Sequence, residues 1–167
     1  LRRLLHGDRR AGEPLPLSAV PQALIHATLA AEDQRFRSHG GVDLLATARA
    51  LKDSLTAGRS VSGASTITQQ LVKIVHPRPR TLWTKAMEIG TARRIEMTWS
   101  KDAILESYLN RLGYGSFASG CQEAAWTFFD KPVHDCSLAE CAYLAGLPQA
   151  PGRLSPWRNP EGAKKRQ

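Results

Sequence analysis

The chain has 167 residues, 42% of them hydrophobic and 23% charged, with 23 Lys plus Arg against 15 Asp plus Glu and a formal net charge of +8. This balance excludes a disordered or collagen-like chain, and no apolar run approaches the roughly 18 residues that a membrane-crossing helix needs. The length supports one sizeable core, hence a single domain over 1–167, and the positive charge suits nucleic acid, an anionic membrane surface or a phosphate-bearing substrate.

Ser18 precedes Val20, Leu24, Ile25, Thr28 and Leu29, a 3.6-residue pattern that predicts a first helix reaching Glu32. Asp43 caps a second helix with Leu44, Leu45, Ala48, Leu51 and Leu55 on one face, and Gly58 ends it. Gly58 to Gly63 reads as a mobile loop. Ser65 caps a third helix, which Pro77 stops because proline cannot continue the hydrogen-bond ladder. Thr81 starts a fourth helix running towards Trp99. Ser100 caps a fifth through Ile104, Leu105 and Tyr108, with Asn110 as its C-terminal cap. A sixth spans roughly 117–129, with Trp126, Phe128 and Phe129 filling core. Ser137-Leu138-Ala139-Glu140 forms a capping box for a seventh, which stops before Pro148. Pro148 to Pro160 carries four prolines and is expected to be extended over the surface. Strand signals are nearly absent, so the fold is expected to be mainly α. Cys121, Cys136 and Cys141 form no CxxC pair and are expected to be small buried hydrophobes. Both ends look cut, which predicts a piece of a longer protein.

Three segments offer chemistry. In the first, an apolar helix ends in Glu32-Asp33, followed by Phe36, His39 and two glycines. A carboxyl leaving an apolar face suits a general acid or base, although the pair also reads as partners for Arg35 and Arg37 on a solvated helix end. In the second, Thr66, Gln69, Gln70 and Lys73 share one helical face beside free helix-start amides, a setting for sugar hydroxyls and phosphate. The plainer reading is a well-capped polar surface helix. In the third, Arg80, Thr81, Lys85 and Glu88 place a carboxylate beside cations, or form an ordinary i,i+3 surface pair. Aromatics are not interleaved with Lys and Arg, and no helix-turn-helix, zinc-finger or RNA-binding signature appears, so no nucleic-acid partner is expected.

Four motifs in order, Glu32-Asp33-x-x-Phe36-x-x-His39-x-Gly41, Gly63-Ala64-Ser65-Thr66-Ile67-Thr68-Gln69-Gln70, Lys85-x-x-Glu88 and Ile104-Leu105-Glu106-x-Tyr108-Leu109-Asn110, closely resemble the peptidoglycan glycosyltransferase (transglycosylase) family. That domain occurs in class A penicillin-binding proteins and monofunctional transglycosylases. The match runs from about Pro14 to the end, including Ser137 to Glu140 and Leu144 to Pro148.

The resemblance implies a lysozyme-like helical head with a smaller jaw facing the membrane, the jaw lying within 41–75 and the tail 148–167 leading to a further part. It implies polymerisation of lipid II. The GlcNAc 4-hydroxyl of one lipid II attacks the MurNAc of the growing strand, forming a β-1,4 bond with inversion and releasing undecaprenyl pyrophosphate. Glu32 matches the general base. Glu88 matches the second carboxylate, which assists the donor side or holds a cation or the site network. Lys73, Arg80 and Lys85 match positions that meet pyrophosphate; Ser65, Thr66, Gln69 and Gln70 line the donor groove; Asp33, Phe36, His39 and Asn110 brace the motifs. No certain cofactor is implied, and a divalent cation, Mg²⁺ or Mn²⁺, stays open. The implied partners are lipid II, the growing lipid-linked strand, the membrane surface and a downstream transpeptidase domain. The implied location is the outer face of the bacterial cytoplasmic membrane, reached through an anchor elsewhere.

One departure is chemical: Thr84 stands where the family usually has Arg, removing a cation that Arg78 or Arg80 would have to replace. Leu112 to Phe117 also differs in detail from the family's usual segment. Two other functions compete with the transferase: a basic membrane- or nucleic-acid-binding module without catalysis, and a lysozyme-like glycan hydrolase.

Overall fold

A computed structural model describes residues 13–57, 64–116 and 118–149, together with the side chains of all of these except Leu51, Ala57 and Gln149. The loop expected over 58–63 and most of the proline-rich tail lie outside the described residues. Among the described residues are seven α-helices: α1 (Gln22–Glu32), α2 (Leu44–Ala57), α3 (Ile67–Val75), α4 (Leu82–Thr98), α5 (Lys101–Leu109), α6 (Cys121–Phe129) and α7 (Leu138–Gly146). A small antiparallel ribbon, β1 (Gly113–Gly115) with β2 (Ala118–Ser119), separates α5 from α6. The fold is mainly α, as expected. No described helix is long and apolar enough to cross a membrane.

Caps explain the helix boundaries. Asp43 Oδ1 accepts from the Ala46 amide, Thr81 from Thr84, and Ser100 from Ala103. Ser137 and Glu140 close both halves of the expected capping box. Two boundaries are corrected. Thr66, not Ser65, is the N-cap of α3, its hydroxyl accepting from the Gln69 amide at 3.2 Å. The sixth helix begins at Cys121 because the chain first makes the ribbon, where Gly115, Ser116 and Gly120 have positive φ, outside helical space.

The chain forms two compact units, residues 1–25 with 109–167, and residues 26–108. In the first, Leu24, Leu109, Tyr114, Cys121, Cys141 and Leu144 are fully buried. Asn110 is not simply a helix cap there. Its side chain clamps Leu15, accepting from the Leu15 amide and donating to the Leu15 carbonyl, both at 2.8 Å. All three cysteines are free; Cys121 and Cys141 are buried, and burial pushes the Cys121 thiol up to about 12. Trp126, Phe128 and Phe129 are half-buried rather than core, and the two phenylalanines pack edge-on against Tyr143 or tilted against each other.

In the second unit, Phe36, Ile67, Leu71, Ala92, Ile104, Leu105 and Tyr108 form the core, with α3 packed on α4. Gly41 has φ +86°, and a Cβ there would lie 2.9 Å from the Ala92 carbonyl oxygen, so the backbones meet at a spacing that needs glycine. Helix α2 is the exception to burial. Its predicted apolar face is out in water, with Leu44, Leu45 and Leu55 at 72%, 64% and 76% exposure.

Candidate active site

Glu32 is the last residue of α1 and only half-exposed. Its Oε2 accepts from Gln70 Nε2 at 2.9 Å, while its Oε1 is buried without a hydrogen-bond partner. Gln70 Oε1 accepts from the Tyr108 hydroxyl at 3.0 Å. Tyr108 is fully buried, and desolvation, then the charges of Glu32 and Asp33, raise its pKa far above the usual range, so it stays a donor. Glu32 opens onto a cleft of about 220 Å³, lined also by Asp33, Arg35, Asp43, Arg49 and Ser65.

Asp33 turns inward. Its carboxylate accepts from the Ile67 amide at 3.0 Å and sits 3.0 Å from His39 Nε2, which must therefore carry the proton. Phe36 is buried edge-on to the His39 ring. Lys101 closes the assembly from α5. Its ammonium lies 4.4 Å from the Phe36 ring centroid and donates to the His39 carbonyl at 2.6 Å and to Glu96 Oε1 at 2.8 Å. The same Glu96 oxygen accepts from Thr68. Asp33, Phe36 and His39 thus bond and pack together in the turn that follows Glu32.

The chemistry of Asp33, His39 and Asp43, whose ligating atoms lie within 4.8 Å of one another, does not fit a resident metal ion. Asp43 is paired with the Arg35 guanidinium through both oxygens and also caps α2. Both Asp33 oxygens are likewise engaged. The negative charge is already compensated from within the protein.

A second cluster joins the other motifs. The Gly41 carbonyl accepts from Thr66 Oγ1 at 2.8 Å and from Gln69 Nε2 at 3.3 Å. Lys85 Nζ donates to Gln69 Oε1 at 2.8 Å and Ser65 Oγ at 3.0 Å, and reaches Glu88 Oε2 at 3.5 Å. Thr84 is buried, its hydroxyl 3.0 Å from that of the α4 cap Thr81. Lys73 and Arg80 are exposed and make no hydrogen bond or ion pair among the described residues, whereas Arg78 donates to the Met87 sulfur. Asn110 belongs to the other unit. Sequence reasoning missed Lys101, Glu96 and the link through Tyr108. The tyrosine stood in the fourth motif and in the apolar spacing of α5, neither of which shows its link to Gln70, and nothing local marked the two charged residues.

The helical fold, the half-held carboxylate at a polar cleft and the cationic cluster on α3 and α4 agree with one family: the transglycosylase model matches residues 1–167, and the chain belongs to the transglycosylases, the peptidoglycan glycosyltransferases of cell-wall synthesis. Among particular proteins, it is 44% identical over 164 residues to penicillin-binding protein 1A of Neisseria lactamica and 45% identical over 164 residues to that of Neisseria flavescens. Each alignment covers 98% of this chain and 20% of the relative. The Pseudomonas aeruginosa protein of the same name is 42% identical over 154 residues, covering 92% of this chain and 19% of the relative. The chain thus spans about a fifth of the length of the curated relatives it matches.

Proposed function

We propose that this domain polymerises lipid II, with Glu32 as the general base. The 4-hydroxyl of the acceptor GlcNAc gives its proton to Glu32 as its oxygen attacks C1 of the donor MurNAc. The bond from C1 to the pyrophosphate breaks with its electron pair on the departing oxygen, so the new β-1,4 bond forms with inversion. Fixed cations stabilise the developing negative charge because they need no reorganisation during the step. Lys85 supplies this charge, oriented by Ser65 and Gln69, and Lys73 and Arg80 extend it towards the pyrophosphate. Glu88 acts by holding Lys85, a role its 3.5 Å approach to the ammonium supports. Thr66, Gln69 and Gln70 shape the donor groove while bonding within the protein.

The observation that carries this reading is Glu32 itself, a carboxylate lining a polar cleft, with one oxygen held by Gln70 and the other buried without a hydrogen-bond partner. The cationic set favours a phosphorylated donor over hydrolysis of finished glycan. The exposed leucines of α2 support a jaw facing the membrane within 41–75; Leu82 and Trp83 at the start of α4, 92% and 75% exposed, add apolar surface outside that range. The same proposal places the domain at the outer face of the cytoplasmic membrane, with an anchor and a downstream transpeptidase domain in the remaining length typical of its relatives.

Labelled lipid II incubated with the full-length protein and its Glu32→Gln variant tests the reading. A glycan ladder from the parent, reduced at least about 100-fold in the variant, is expected for a general base. A ladder of parental intensity from Glu32→Gln overturns it.

A further inference from the structure

A primary amide presents a donor on one side and an acceptor on the other, and its shape alone does not fix which way it faces. At Gln70 the chemistry does. An ionised Glu32 can only accept, so the Gln70 NH₂ must face it, and the Gln70 oxygen must then face Tyr108, whose hydroxyl donates. Tyr108 is fully buried on α5 and cannot touch a substrate. It can act on Glu32 only through the amide between them.

We infer that Tyr108 is a positioning residue for the proton transfer: its hydroxyl anchors the far end of the Gln70 amide, which Glu32 orients from the near end, and so keeps the Gln70 NH₂ on Glu32 Oε2. This rests on Glu32 being the base. Were the Gln70 amide free to turn, its carbonyl would meet the carboxylate and favour the protonated form, which cannot accept a proton at that oxygen. Directionality would then fade first at lower pH. The other charged groups around Glu32 are Asp33, Arg35, Asp43 and Arg49 at the cleft. Asp43 is paired with Arg35, and Asp33 with His39, so these four do not replace the missing donor; Arg49 makes no ion pair among the described residues.

The test is the pH profile of lipid II polymerisation by the full-length protein, for the parent and Tyr108→Phe, which keeps the ring and removes the hydroxyl. The acid limb of kcat/KM is expected to move up by about one pH unit, the effect of losing a donor to a charged acceptor. KM is expected to stay within about twofold, since Tyr108 contacts no substrate. An unmoved limb, or an equal loss at every pH, overturns the inference, because a merely structural tyrosine gives one of those two results. 3-Fluorotyrosine at position 108 preserves packing and strengthens the donor, so the limb is expected to move down. This second substitution decides the matter if Tyr108→Phe does not fold, and an unmoved limb again overturns the inference. Glu32→Gln run in parallel separates the two levels: parental turnover from it removes the base assignment, whereas loss of turnover with an unmoved Tyr108→Phe profile removes only the positioning role.

Discussion

Helix α2 borders the cleft, as does the segment that leads into α3, and the two helices spend their residues in opposite ways. In nine residues α3 buries Ile67, Thr68, Gln69, Leu71 and Val72, and its polar side chains reach partners 28 to 38 residues away in sequence, at Glu96, Gly41, Glu32 and Tyr108. The 14 residues of α2 leave three leucines in water, while Thr47, Ser54 and Thr56 bond to their own helix or the residue before it. A helix held by distant partners has its position set by the tertiary structure and can aim catalytic groups. One held by local bonds keeps a face available for another surface.

The largest way to break this contrast is at the point where α3 is tied to the chain before α2. Gly41→Ala puts a methyl 2.9 Å from the Ala92 carbonyl at a positive φ, and displaces the carbonyl that Thr66 and Gln69 share. A cost of about 3 kcal/mol or more is expected, read as a fall in Tm of about 10 °C. Lys101→Met comes next. Glu96, whose side chain is 6% exposed, would be left as a buried charge with only Thr68, for a loss of about 3 kcal/mol in urea unfolding. Thr66→Ala removes the α3 cap and its bond to Gly41 and is expected to cost about 1–2 kcal/mol by the same measurement. The smallest effect on stability sharpens the contrast. Serine at Leu44, Leu45 and Leu55 together should change stability by at most about 0.5 kcal/mol per site, because these side chains are already solvated. Binding to anionic vesicles should nonetheless fall at least about tenfold in a flotation assay, through lost apolar contact with the bilayer.

What was legible in the sequence was local. Asp43, Thr81, Ser100 and Ser137 announce their helices because a cap acts within three residues. The slip from Thr66 to Ser65 arose between neighbours of equal capping chemistry. It was resolved by the Gly41 carbonyl, 25 residues away, which the threonine hydroxyl also reaches. The motif order around Glu32, Gln69, Gln70, Lys85 and Glu88 pointed to the right family. It did not show that Gln70 bridges to Tyr108, or that Lys101 crosses 62 residues to the His39 carbonyl. Such links depend on how helices pack, and α4, with polar residues all round, gives no periodic signal that Glu96 faces inward. The apolar period of α2 was read correctly as a face, but periodicity reports that a face avoids water, not what covers it.

The Gln69 side chain, donating to Gly41 with its nitrogen and accepting from Lys85 with its oxygen, works as a two-ended strut. Its consequence is modular. A designer transplanting this chemistry into another helical scaffold cannot move the lysine alone, because the glutamine amide that orients it is itself oriented by a glycine carbonyl 28 residues before that glutamine in the chain. The smallest graftable unit is therefore three separate pieces of backbone with their spacing preserved. A library that varies Gly41, Gln69 and Lys85 independently should yield mostly inactive combinations.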